Sequence, residues 1–127
     1  MKELTKAEEQ VMQVLWSLEK GFMKDIHEAI PEPRPAYTTV STVVRVLVKK
    51  GAIGFNSYGK VHDYYPLFSK EDYSSGQLKQ MVKSFFNNSF QQFASFFTKD
   101  SKMELEELEK MKRMIEEEIA QRKKDGD

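Results

Sequence analysis

The spacing of apolar residues predicts two helices at the start of the chain. Thr5 and Glu8 form a capping-box pattern, which is typical of a helix N-terminus. Apolar residues from Ala7 to Leu18 then recur at helical spacing and predict a helix with one face in a core. A second, shorter helix is predicted over residues 23–30, and Pro31 ends it because proline cannot continue a helix.

The stretch 38–50 has a pattern that favours two different structures. Five valines lie between positions 40 and 48, and β-branched residues favour a strand. The inward-facing positions, however, recur at a period of 3.6 residues, and Lys49, Lys50 and Gly51 form a typical helix end. We therefore predict a helix over about 38–50, with its inner face formed by Val40, Val43, Val44 and Leu47.

A two-stranded hairpin is predicted directly after this helix. Ala52–Asn56 and Lys60–Tyr65 are rich in strand-forming residues, and we expect Ser57–Tyr58–Gly59 to be a three-residue loop between them. Pro66 ends the pairing. Three helices followed by a hairpin, with the hairpin at about 53–65, is the order of a winged helix-turn-helix domain.

The region after Ser69 is predicted to be entirely helical. Ser69 is a predicted helix cap, and a second capping-box pattern at Ser101–Glu104 predicts another helix start. Six of the nine phenylalanines lie between positions 85 and 97, so the region has more apolar surface than it can bury alone. We predict a homodimer interface that includes Met81, Phe85, Phe86, Phe90, Phe93, Phe97, Leu108 and Ile115. The alternative, in which these helices fold back on the winged helix, remains open.

The composition excludes several classes of function. Cysteine is absent, which excludes disulfides, thiolate metal sites and cysteine nucleophiles. His27 and His62 have no partners at metal-ligand spacing, and no phosphate-binding loop or nucleophile motif occurs. We therefore predict that the protein is not an enzyme and has no cofactor or metal. No apolar stretch approaches the length of a membrane span, so we expect a cytoplasmic protein that does not insert into a membrane.

The distribution of charge favours a nucleic-acid reader with a small basic patch. The formal net charge is +0, but residues 36–65 contain four cationic side chains and only one acidic residue, Asp63. Hydroxyl groups and arginine suit base edges, and lysines suit phosphates. The predicted DNA-binding residues are Thr38, Thr39, Ser41, Thr42, Arg45, Lys49, Tyr58 and Lys60. The alternative is a winged-helix protein-interaction module whose basic stretch is only a solvated face.

Three blocks of this sequence resemble the penicillinase and methicillin-resistance repressors (BlaI/MecI type). The blocks are LTKAEEQVMQVLW, YTTVSTVVRVLVKKG and GKVHDYYPLFSKEDY. The resemblance implies a DNA-binding winged-helix domain over 1–69, followed by an all-α dimerisation domain over 70–127. It further implies a homodimeric repressor of a palindromic double-stranded operator. In the family, a membrane sensor-protease relieves repression when it detects a β-lactam.

The chain departs from the patterns of family members in three respects. Family members commonly carry an arginine where this chain has Val46, and Arg45 is the neighbouring candidate for that contact. The Asn–Phe bond that is cut in well-known members aligns near Phe96–Phe97, where no asparagine is present. The copper-responsive members carry C-terminal cysteines, which this chain lacks.

Overall fold

The computed structural model describes residues 3–100 and 102–126, which form a mainly α-helical protein with a small antiparallel sheet. Its helices are α1 (Lys6–Leu18), α2 (Met23–Ala29), α3 (Tyr37–Lys49), α4 (Lys70–Phe85), α5 (Phe90–Asp100) and α6 (Leu105–Lys124). Its strands are β1 (Gly21–Phe22), β2 (Ile53–Tyr58) and β3 (Val61–Pro66). The chain divides into two compact units, and the boundary falls inside α4 between Leu78 and Lys79.

The core of the first unit explains why the valine-rich stretch is a helix. Val40, Val44 and Leu47 are at most 1% exposed, and they occupy one face of α3 at helical spacing. A strand would place alternate residues on opposite faces and could not bury these three together. The predicted helix is therefore confirmed, with bounds shifted by one residue.

The first two helices pack around the same core as α3. Thr5 caps α1 as predicted, and Val11, Met12 and Leu15 are at most 2% exposed. The apolar face of α1 is narrower than predicted, because Ala7 is exposed and Leu18 is 38% exposed.

Aromatic residues close the core of the first unit at the start of α4. The Trp16 Nε1–H donates to the Phe68 carbonyl oxygen at 2.9 Å, and the Leu4 backbone N–H donates to the Tyr73 hydroxyl at 2.9 Å. Ser69 accepts from the Asp72 backbone N–H at 3.0 Å, so the predicted cap of α4 is confirmed.

The sheet has one more strand than the sequence predicted. In the described part of the chain its order is β1-β3-β2, with Gly21 opposite Tyr64 and Phe22 opposite Asp63. Strand β1 contains two residues and is too short to show an alternating pattern. Helices α1 to α3 with this sheet form a winged helix-turn-helix, and β2 and β3 form the wing.

The hairpin loop is shorter than predicted. Tyr58 and Val61 are paired, so the loop consists of Gly59 and Lys60 rather than residues 57–59. Gly59 has a φ of +64°, and it occupies the first loop position, where a type II′ turn places glycine. The prediction that Gly59 supplies positive φ is confirmed, while the predicted loop residue Tyr58 belongs to β2.

The second unit contains a cluster of phenylalanine rings. Asn87 and Asn88 adopt left-handed φ values of 54° and 60°, which end α4 and reverse the chain before α5. The ring centroid of Phe86 then lies 5.5 Å from that of Phe93 and 5.4 Å from that of Phe96. These rings form a local cluster inside the unit.

The last helix begins later than the sequence predicted. Glu104 is the N-cap of α6, and its backbone N–H lies 3.4 Å from Glu107 Oε1. The predicted cap Ser101 lies outside the described residues. Among the helices that are described, none is long and apolar enough to cross a membrane.

Candidate nucleic-acid interface

Helix α3 has a polar outer face opposite its valine-rich inner face. The exposed side chains on the outer face are Thr38, Thr39, Thr42, Arg45 and Lys49. The Thr42 hydroxyl donates to the Thr38 carbonyl oxygen at 3.0 Å, so its proton is used inside the helix while its lone pairs remain available as acceptors. Val46 is 39% exposed and lies beside this face.

A groove of about 310 Å³ separates α3 from the wing. Tyr37 and Ser41, one helical turn apart on α3, line one wall, and Lys60 lines the wing side. Lys24 contributes from α2, which lies outside the predicted recognition helix. None of the described residues that line this groove is acidic. We call it the basic groove.

The ring of Tyr37 is held at the edge of the basic groove by His27. The two ring centroids are 5.5 Å apart in an edge-to-face arrangement, and His27 Nε2 hydrogen-bonds the Pro35 carbonyl oxygen at 2.9 Å. Tyr37 remains 48% exposed. His27 therefore orients an aromatic side chain that has access to solvent.

Tyr64 lies under the basic groove and stays protonated. Burial raises the pKa of the Tyr64 phenol, the neighbouring Tyr37 raises it further, and Arg45 lowers it by less. Its hydroxyl is therefore neutral and able to donate a hydrogen bond at neutral pH.

The wing carries exposed aromatic and basic side chains near its tip. Tyr58 is 58% exposed, and its ring makes an edge-to-face contact with Phe22 of β1 at 6.4 Å. Lys60 lies in the loop and is exposed. His62 stacks on Phe55 with centroids 4.2 Å apart and an interplanar angle of 5°. The wing tip is thus anchored to β1 by an aromatic contact.

Lys50 stabilises the fold through an ion pair with Glu8. Its Nζ lies 2.7 Å from Glu8 Oε1, which also accepts the Thr5 backbone N–H at 2.9 Å. Glu8 is 5% exposed. Burial raises the pKa of the Glu8 carboxyl, but the Lys50 ammonium and the Thr5 donors lower it by more, so the net pKa lies below 4.5.

A second cleft, of about 350 Å³, adjoins the wing and has a different charge. It is lined by Lys20, Asp25 and Asp63, together with the Phe22 and Tyr58 rings. Asp25 Oδ2 accepts the Phe22 backbone N–H at 3.0 Å. We call it the acidic cleft, and Phe22 lines both this cleft and the basic groove.

The predicted dimerisation residues fall into two groups. Phe85 is 78% exposed, Ile115 55%, Phe90 52% and Met81 39%. Phe86, Phe93, Phe97 and Leu108 are half-buried, and the three phenylalanines take part in the local ring cluster. Four further apolar side chains outside the predicted dimerisation set are also exposed: Phe96, Leu105, Met114 and Ile119.

All eight residues of the predicted DNA-binding set lie on α3 or the wing. Seven are exposed, and Ser41 is half-buried on the wall of the basic groove. Lys24 was missed because its proximity to the wing depends on how α2 packs. The sequence signal that could have identified Lys24 is a positive charge at the start of the helix before the recognition helix.

Comparison with known proteins places this arrangement in a family. The model of the penicillinase repressor family matches residues 4–117. The chain is 27% identical over 119 residues to the penicillinase repressor of Bacillus licheniformis, covering 91% of each chain. It is 24% identical over 114 residues to the methicillin resistance regulatory protein MecI of Mammaliicoccus sciuri, covering 89% of this chain and 93% of that one.

A solved structure shows the same winged-helix fold. The DNA-binding domain of the repressor BlaI matches with a TM-score of 0.50 and 27% identity, covering 57% of this chain and 94% of that domain. The family match spans most of the chain and agrees with the helix, sheet and wing order described above. The protein belongs to the penicillinase repressor family.

Proposed function

We propose that this protein is a transcriptional repressor that binds a palindromic operator as a homodimer. The observation that carries the proposal is the exposed polar and cationic face of α3, which lies beside a groove lined by Lys24 and Lys60. One named relative is a penicillinase repressor, another is a methicillin resistance regulatory protein, and one matched domain is the DNA-binding domain of a repressor. A binding role also fits a chain in which no catalytic motif is recognised.

The side chains of α3 divide into base readers and phosphate contacts. Thr38, Thr39 and Thr42 present hydroxyl and methyl groups that suit base edges in a major groove. Arg45 suits guanine through its two parallel donors. Lys49 at the end of the helix and the wing-tip residues Tyr58 and Lys60 suit the DNA backbone.

The exposed apolar surface of the second unit supports the proposed dimer. Phe85 and Leu105 are 78% and 71% exposed, which is a large apolar area to leave in water. A second copy of the chain covers such a surface on both partners at once. We assign residues 1–69 to DNA binding and residues 70–127 to dimerisation.

Two copies also explain how a chain of zero net charge binds DNA. Each copy presents only a few cations on and beside α3, and affinity for duplex DNA grows with the number of phosphates neutralised. A dimer doubles that number and places two recognition helices at a fixed spacing.

An upstream sensor, such as a membrane sensor-protease acting directly or indirectly, releases the repressor. Phe96 is 53% exposed on α5, but the bond that follows it joins two phenylalanines instead of Asn and Phe. A protease that requires asparagine would have to cut elsewhere or act through another component.

Fluorescence anisotropy with duplexes that tile the promoter of the protein's own gene tests the proposal. One fragment should bind with a clear preference, and its affinity should fall steeply as salt rises. Arg45→Ala should abolish that preference, whereas Arg113→Ala, which removes an exposed arginine from α6, should leave it unchanged. Failure of every fragment to bind at low salt would refute DNA binding and favour the protein-interaction module.

A further inference from the structure

The basic groove and the acidic cleft differ in the charge that they present on the two sides of Phe22. The basic groove is lined by Lys24 and Lys60, and none of its described lining residues is acidic. The acidic cleft has Lys20 together with Asp25 and Asp63. An anion near the wing is therefore attracted to the first site and repelled by the two carboxylates of the second.

The lysines of the basic groove come from different elements. Lys24 lies in the first turn of α2, and Lys60 lies in the loop of the wing. Both side chains line the same groove and both are exposed. Two cations from separate elements with open space between them suit a compact anion that each can reach from its own side.

The α3 wall of the basic groove supplies neutral donors. Tyr37 is held by His27 and remains 48% exposed, and Ser41 lies one turn further along the same wall. Phenol and serine hydroxyls donate to phosphate oxygens without adding charge. Lysines with hydroxyl donors are the set of groups that proteins use to hold the DNA backbone.

We propose that the basic groove holds one backbone phosphate of the bound DNA, gripped by Lys24 and Lys60 from opposite sides. The inference rests on the proposed DNA-binding function and adds Lys24 of α2 to the site. Ser41 then serves as a backbone contact on the groove wall, while Thr38, Thr42 and Arg45 read bases. The contact fixes the position of α3 along the duplex.

Salt dependence of binding measures this contact whatever the sequence of the operator. The probe is a random-sequence duplex of about 30 base pairs, long enough for two half-sites separated by one or two turns. Since a phosphate contact carries no sequence information, it contributes equally to specific and non-specific binding. The proteins compared are the full chain, Lys24→Gln, Lys60→Gln, their double variant and Lys20→Gln.

The double variant should bind about tenfold or more weakly at low salt, because it removes two charged donors. Its slope of log affinity against log salt should be shallower by about one unit per bound subunit. Each single variant should lose less than this, because the remaining lysine still neutralises the same phosphate. Lys20→Gln, which changes the acidic cleft, should match the unaltered protein.

Three results would overturn the inference. A double variant with unchanged affinity and slope would show that the groove touches no phosphate. A slope change of about two units per subunit would show that the two lysines hold separate phosphates. An equal loss in Lys20→Gln would show a general effect of charge. If Arg45→Ala abolishes the sequence preference on the promoter fragments while the double variant binds the random duplex like the unaltered protein, the proposed function stands and only this inference fails.

Discussion

The Glu8 carboxylate connects the start of α1 to the end of α3. Its Oε1 atom accepts both the Thr5 backbone N–H and the Lys50 ammonium, so one oxygen serves a helix cap and an ion pair. Lys50 belongs to the same basic stretch as Lys49, which is exposed. Whether a lysine serves the fold or a ligand therefore depends on a partner 42 positions away in the sequence.

Glu8→Gln should lower the free energy of unfolding by about 1–2 kcal/mol at pH 7, because it breaks a buried charge-assisted contact. The folded-state pKa of Glu8 lies below the ordinary value of 4.5. Its stabilising effect is therefore present above pH 4.5 and is lost as the pH falls through the folded-state pKa. Urea unfolding measured from pH 7 down to pH 3 tests this.

The control for this experiment is Glu9→Gln, which removes an exposed carboxylate from the next position of α1. It should change stability by only a few tenths of a kcal/mol, as surface charges usually do. A deficit in Glu8→Gln that stayed constant over the whole pH range would contradict the assigned ion pair.

Thr42→Ala should weaken specific operator binding by about 1 kcal/mol, or roughly fivefold, and leave non-specific binding unchanged. The reason is that its methyl group and hydroxyl lone pairs face outward from α3. Thr98→Ala is a matched control, because the Thr98 hydroxyl makes the same bond to a carbonyl four residues earlier in α5, at 2.8 Å. Equal losses on specific and random duplexes would mean that Thr42 does not read bases.

Among the elements of the winged domain, the helices and the two hairpin strands were predicted closely, whereas strand β1 and the length of the hairpin loop were not. The three helices of the winged domain follow from their spacing and stop signals, even for the valine-rich α3. The local propensity of α3 favours a strand. The helix forms instead because it buries Val40, Val44 and Leu47 together on one face. Strand β1 forms by pairing with Asp63 and Tyr64, which are far away in the sequence, and the local pattern does not encode that pairing. The loop is shorter than predicted because Tyr58 and Val61 pair with each other.

The candidate site shows the same limit of prediction. Its α3 and wing residues could be named as candidates from the sequence because they interrupt an apolar pattern with hydroxyl and basic groups. Lys24 was not, because it reaches the basic groove only through the packing of α2 near the wing. Residues that come together from separate elements can be identified only when the structure is known.

Two glycines should respond in opposite ways to the same substitution. Gly76→Ala should raise the free energy of unfolding by about 0.5–1 kcal/mol, since alanine favours helix over glycine and no atom lies within 4 Å of the added Cβ. Gly59→Ala should lower it by about 1–2 kcal/mol, because the wing turn requires a φ of +64° there. Urea unfolding of both variants checks this, and the same sign in both would contradict the assigned backbone.

At the scale of the whole molecule, some apolar side chains of the second unit pack within the unit and others are exposed to solvent. The Phe86, Phe93 and Phe97 rings pack against one another inside the unit, so polar substitutions there would disturb its own fold. Phe85 is a cleaner probe of association, because its side chain is 78% exposed.

Phe85→Asp should shift the protein from dimer to monomer, because a carboxylate in an apolar interface must be desolvated without a partner. Sedimentation velocity measures the change, and circular dichroism verifies that helix content is retained. Gln10→Asp places the same charge at an exposed position of α1, outside the residues assigned to dimerisation, and should remain dimeric. A dimer unaffected by Phe85→Asp would move the interface away from this surface.

Selection from a randomised duplex library tests the central claim most directly, because the protein itself picks its operator sequence from the pool. The full-length protein should enrich an inverted repeat whose half-sites lie about one or two helical turns apart, and Arg45→Ala should lose that enrichment. Enrichment of a single unrepeated site would contradict the binding of a palindrome by a dimer. No enrichment at low salt would contradict sequence-specific repression altogether.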